Sequence, residues 1–154
     1  MRLIHCACGE APAIPGALRL DLPQHPSQKE LRVLTDIAQE VLPEDPTPSL
    51  DEIQANPSVT HLGAPACAPQ QPDEPVRVIV SGDDRALGLV LTRLMRSDVM
   101  WVEVGYAPVD PHSPAALVWG VGDVALAVEG TVRPMPSVRT DFGEVVAGSA
   151  ELFT

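Results

Sequence analysis

Val76–Arg96, VRVIVSGDDRALGLVLTRLMR, is the stretch whose reading decides the fold. It opens with an apolar, β-branched run, Val76-Arg77-Val78-Ile79-Val80, of the length of one buried strand. The run breaks at Ser81-Gly82-Asp83-Asp84, where Gly82 permits a tight turn and either Asp can cap a helix. Beyond the break Leu87, Val90, Leu91, Leu94 and Met95 recur at the spacing of one helical face. Acids at the start of this segment, and Arg93 and Arg96 in its last turn, suit the helix dipole. The stretch is therefore a strand–turn–helix unit, with its turn at the helix N-terminus, where anions and nucleotides often bind. Ordinary α/β domains are built the same way, so this geometry alone names no function.

Working outward, the whole chain has 154 residues, enough for one modest domain or a smaller domain with an extended arm. Its formal net charge is −11, from 21 acidic residues against 10 Lys and Arg. That balance argues against nucleic acid or an anionic membrane as partner, because phosphate is bound mainly through cationic side chains. No apolar run reaches the length of a membrane span, and MRLIHCACGEAP is too short in its apolar part for a secretory signal. We therefore expect no integral membrane association and a cytoplasmic location. Cys6, Cys8 and Cys67 fit reduced thiols. A zinc site drawing on His5, Cys6, Cys8 and His61 or Cys67 lacks the usual paired ligand spacing, so no metal ligand is assigned.

Residues 1–75 hold 12 of the 17 prolines and read as a Pro-rich acidic segment with little regular structure. Within it, Arg2–Cys6 is a candidate short strand. Ser27–Leu42 is an amphipathic helix with Leu31, Leu34, Ile37, Ala38, Val41 and Leu42 on one face and a Ser27/Glu30 capping box. Ser49 and Glu52 form a second such box ahead of a short helix, Val59–Leu62 is a strand candidate, and Ala64–Pro75 is linker-like. On the other side, Val99–Ala107 reads as a second strand, which a helical crossover makes parallel to the first. Ser113-Pro114 opens a helix as cap and first residue, and Asp123–Val128 supplies another that ends at Gly130. Thr131–Thr140 and Glu144–Phe153, joined by Asp141-Phe142-Gly143, read as a hairpin.

Three of these segments, taken together, carry a resemblance. The chain runs VIVSGDDRALGLVLTRLM, then VEVGYAPVDPHSPAALVWGV, then ALAVEGTVRPMPSVRTDFGEVVAGSAELF. In order and spacing Val78–Phe153 resembles part of the catalytic domain of the diacylglycerol kinases and related lipid and NAD kinases. That family has a Gly-Gly-Asp-Gly-Thr turn after its strand and a Pro-x-Gly-Thr-x-Asn-Asp-x-Ala loop after the next. The resemblance implies ATP and Mg²⁺ as cofactors. It puts nucleotide contacts at Ser81, Gly82, Asp83, Asp84 and Arg85 of the first turn, and at Pro108 and Ser113 of the second loop. No catalytic residue is assigned.

The departures from the family are informative. Only Gly82 and Asp83 agree in the first turn; Ser81 and Asp84 stand at its first and last glycines and Arg85 at its threonine. A carboxylate at Asp84 adds bulk and negative charge where a phosphate would lie. In the second loop Pro108 and Ala116 agree, Asp110-Pro111 replace Gly-Thr and Ser113-Pro114 replace Asn-Asp. The segment corresponding to the family's second, β-rich domain is expected to be essentially absent.

His112 and Ser113, beside Asp110, are neighbours in sequence, which rarely gives triad geometry, and Ser113 reads better as a cap. Trp101, Tyr106 and Trp119 could stack on a base, but read better as core or interface anchors.

The reading is an α/β fold: a small three-layer parallel-sheet domain resembling the N-terminal domain of the diacylglycerol kinases, with a C-terminal β-hairpin. Residues 1–75 form the acidic segment, part of or packed on the domain; 76–130 form the kinase-like core and 131–154 the hairpin. The leading function is a non-catalytic kinase-like domain with a binding or structural role, weakly nucleotide-binding or self-associating as a homodimer through the hairpin. The alternative is a nucleotide-dependent lipid or small-molecule kinase.

Overall fold

A computed structural model describes residues 1–42, 49–55 and 66–151. Among the described residues four strands form a parallel sheet in the order β2-β1-β3-β4. They are β1 (Arg2–Cys8), β2 (Leu18–Leu22), β3 (Val76–Gly82) and β4 (Glu103–Pro108). The outer pairing is as the crossover argument requires: β3 lies parallel to β4, with Val78 opposite Val104 and Val80 opposite Tyr106. The N-terminal segment supplies β1, which is a central strand, with Ile4 opposite Val78 and Cys6 opposite Val80.

Alternation along the strands divides the core in two. Ile4, Cys6, Cys8, Val76, Val78 and Val80 face α1 (Arg32–Val41) and α3 (Asp84–Arg96). On the opposite face Ile79 and Ala107 pack on Ile14 of the β1–β2 connection and on Ala127 of α5 (Val124–Glu129). Arg77 is buried on that same face, ion-paired with Glu103 at 2.7 Å and donating to the Val128 carbonyl. The helical face read from sequence on α3 is the one buried, with Leu87, Val90, Leu91 and Leu94 in the core. The apolar face of α1 is Leu34, Ile37, Ala38 and Val41, with buried Leu31 at its N-cap.

Some limits differ from expectation and one agrees. The Ser27–Glu30 box forms, with the Ser27 amide donating to Glu30 at 2.8 Å, but it closes a separate turn and the helix starts at Arg32. The Ser49–Glu52 box caps α2 (Leu50–Ala55) as expected. Val99–Val102 is not strand. Helix α3 ends in a Schellman motif: Asp98 adopts φ +56°, and the Val99 and Asp98 amides donate to Leu94 and Met95 carbonyls at 3.0 and 3.1 Å. This turn tucks Val99 and Val102 into the core before β4 begins, so an apolar run that looked extended is a buried cap.

Strand β2 was not expected from the sequence. The last correction is the hairpin, which pairs only β5 (Val138–Arg139) with β6 (Val145–Val146). It folds back on α3, the Val145 amide donating to Thr92 Oγ1 at 2.8 Å and Arg96 donating to the Gly143 and Phe142 carbonyls. The expected strand at Val59–Leu62 and the end of the hairpin at 152–154 lie outside the described residues. Among those described, no helix is long and apolar enough to cross a membrane.

The placement of α3 yields a direct stability contrast. Leu94 is fully buried, whereas Met95 is half-buried. Leu94→Ala should cost about 2–5 kcal/mol in urea unfolding, and Met95→Ala clearly less. Equal losses at the two sites would mean that the helix is rotated from this orientation.

Candidate functional site

The strand order reverses between β1 and β3, so a crevice is expected outside the C-terminal ends of those strands. The residues expected from the resemblance do lie at this end of the sheet, but in three different environments.

The first environment surrounds Asp84, the opening residue of α3. One of its carboxylate oxygens accepts from the Tyr106 hydroxyl at 2.9 Å and from Ser113 Oγ at 2.6 Å. The other accepts from the Ala115 amide at 3.0 Å. Ser113 is the cap of α4 (Pro114–Trp119), its oxygen also accepting from the Ala116 amide. Tyr106, fully buried at the end of β4, packs edge-on against Trp119 and also reaches the Gly82 carbonyl. Burial pushes the Tyr106 phenol well above its ordinary range and the Asp84 carboxylate adds to this, so the phenol stays a donor. Gly148 closes the far side: at φ +87° a Cβ there would sit 2.6 Å from the Ala115 amide nitrogen and 3.0 Å from an Asp84 oxygen. Gly82 and Pro108 meet as register partners, and the Val109 amide donates to the Gly82 carbonyl. The two loops thus come together, and a protein carboxylate stands between them.

The second environment surrounds Asp83. It caps α3 by accepting from the Ala86 amide at 2.8 Å, and its other oxygen meets His25 at 2.8 Å and Gln24 at 3.2 Å. Desolvation is the largest single influence and pushes Asp83 up, but the bonds from Ala86, His25 and Gln24 and the charge of His25 together hold it below the ordinary carboxylate value. Cys8, buried behind Asp83, is pushed up to about 11 by burial, and then by the Asp83 charge, so it stays a thiol. Gly82 is needed for this approach, since a Cβ there would lie 2.9 Å from that of Ala86 and 3.0 Å from that of Cys8. Its lack of a side chain serves packing of the β1 end on α3. Arg85 is exposed on the first turn of the helix.

The third environment lies across the sheet. Ser81 points away from Asp84 into a cleft of about 390 Å³, walled by Glu10, Ala11, Pro12, Ala107, Pro108, Val109, Gly122, Asp123 and Val124. Its hydroxyl shares a hydrogen bond with His5 Nε2 at 2.8 Å, and both residues are buried. His5 Nδ1 is buried without a partner among the described residues. Strand alternation puts His5 on the face opposite Cys6 and Cys8, so these three cannot converge on one ion. Among the described residues, no cluster of three His, Cys, Asp or Glu side chains is placed to hold a metal. The cleft walls carry carboxylates at Glu10 and Asp123 and no Lys or Arg.

Sequence reasoning missed the roles of Tyr106, His25, Gln24 and His5. The Asp83–His25 contact spans 58 positions, and no local pattern announces it.

No known protein-family model, curated protein or solved structure matches this chain.

The buried imidazole sets a pH dependence. Desolvation, and then the Arg19 charge, lower the His5 pKa from its ordinary value near 6.5, so the folded state keeps it neutral. Below about pH 6.5 the unfolded chain takes up a proton that the folded chain refuses, and stability falls with falling pH. The Asp83 contribution is lost only lower, below about pH 4. Urea unfolding from pH 7.5 to 5 should show the first decline, and His5→Gln should flatten it. An unchanged slope in His5→Gln would exclude His5 as its source.

Proposed function

We propose that this chain is a kinase-like domain that binds rather than catalyses, acting in the cytoplasm without nucleic acid. The observation that supports this reading is the engagement of Asp84. At the place where the resemblance puts a phosphate-facing glycine, the chain carries an anion already held by Tyr106, Ser113 and the Ala115 amide. A nucleotide phosphate entering there would have to displace that carboxylate or lie against it, at a Coulombic cost that grows in a partly buried site. Proline at positions 111 and 114 further removes backbone donors from the second loop. Phosphoryl transfer depends on positioned donors and metal ions around the transferred group. Here the donors are turned inward to the protein's own side chain, so the bringing together of two loops persists as a structural clasp. Any nucleotide affinity that remains is weak.

Thermal melting with ATP and Mg²⁺, and separately with NAD, tests this reading, because a ligand that binds only the folded state raises the melting temperature. The expected outcome is no shift at millimolar nucleotide and no metal-dependent ATP hydrolysis above background. Robust turnover that disappears in Asp83→Ala would instead establish the lipid or small-molecule kinase reading.

A further inference from the structure

Residues 131–139, TVRPMPSVR, are exposed at every position. No backbone hydrogen bond to a described residue ties down 131–137. Val132 and Met135 are 43% and 48% exposed and stand three residues apart, ahead of Val138 in β5. That spacing is the period of a polyproline II helix, a conformation that Pro134 and Pro136 favour. The stretch thus shows an apolar stripe to solvent, flanked by Arg133 and Arg139 with no acid among the nine residues, in a chain of net charge −11. The cleft beside Ser81 has the complementary character: apolar walls from Pro12, Ala107, Pro108 and Val124, with the Glu10 and Asp123 carboxylates among them. The 131–139 stretch contributes nothing to the walls of its own cleft.

Resting on the binding-domain reading, we propose that the cleft of one copy takes the 131–137 stretch of a second copy, with Met135 and its prolines on the apolar walls and Arg133 against Glu10. Charge complementarity favours a second copy of this chain, because every molecule carries both the basic stretch and the acidic cleft, and their pairing offsets part of the repulsion between two bodies of net charge −11. Reciprocal exchange makes the two contacts identical and closes a two-fold dimer instead of an open chain. The contact buries the exposed apolar residues of the stretch and gives the Glu10 carboxylate a cationic partner, the Asp123 carboxylate being engaged as the cap of α5. It also differs from a hairpin-to-hairpin interface, because β6 is already occupied by α3.

Sedimentation equilibrium on the full chain decides the matter. The expected result is a dimer that weakens as salt is raised, since the Arg133–Glu10 contact is ionic. Arg133→Glu and Glu10→Arg, both at exposed positions, should each weaken dimerisation at least tenfold. The double variant Arg133→Glu/Glu10→Arg should recover most of the loss. A synthetic peptide of residues 131–137 should compete with the dimer, and its Met135→Asp form should not. A monomer at all accessible concentrations overturns the proposal. So does a dimer indifferent to both single charge reversals, or one that the double variant fails to rescue. Nucleotide turnover is read separately on the same samples, so failure of the binding-domain reading and failure of the docking appear in different assays.

Discussion

The carboxylate of Asp84 is the constraint on which this end of the molecule depends. It sits where four separate parts of the chain converge: the start of α3, the end of β4, the cap of α4 and the turn at Gly148. An ionised acceptor in a partly buried place needs donors, and a buried phenol needs an acceptor. Asp84 and Tyr106 satisfy each other, while Ser113 and the Ala115 amide complete the set. Hydrogen bonds to a charged group are stronger than neutral ones, so this cluster holds the loops more firmly than apolar contact at half-exposed positions could. Asp83, one residue earlier, is committed to the cap of α3 and to His25. Two adjacent acids thereby do structural work on opposite sides of one turn.

Much of this fold is legible in the sequence where local chemistry and tertiary placement agree. The α3 helix runs from Asp84 to Arg96 because its cap, apolar face and basic last turn all point to the same limits. Ser113-Pro114 and Asp123 mark helix starts for the same reason. Legibility fails where a local pattern has two meanings. Val99–Val102 is as apolar as a strand, and only the left-handed Asp98 that precedes it makes it a buried cap. Strand β2 alternates plainly, Leu18, Leu20 and Leu22 with Arg19 and Asp21 between. Its connection to β1 is only nine residues, with no helix, and prolines at 15 and 23 flank it, so it reads as irregular arm. The roles of the residues at this end of the sheet are not legible in the sequence. Gly82, Asp84, Pro108 and Ser113 do converge, yet the hub is Tyr106, whose hydroxyl position depends on the register of β4 against β3.

The two faces of the sheet divide the chemistry. On the face covered by α1 and α3, the turn that would meet an anion is filled by the chain's own carboxylate. On the other face, the cleft is apolar, edged by carboxylates and floored by a serine held to a neutral, buried imidazole. Neither arrangement favours a phosphate, and both are compatible with a domain whose work is contact.

A double-mutant cycle on Asp84 and Tyr106 measures the central interaction directly. Unfolding free energies of the wild type, Asp84→Ala, Tyr106→Phe and the double variant give a coupling that excludes unrelated losses. If the carboxylate is the structural anion of the clasp, the coupling should be about 1–2 kcal/mol. Losses that add to within about 0.3 kcal/mol would show that Asp84 is not bound into the fold, and would leave its charge open to a metal and a nucleotide.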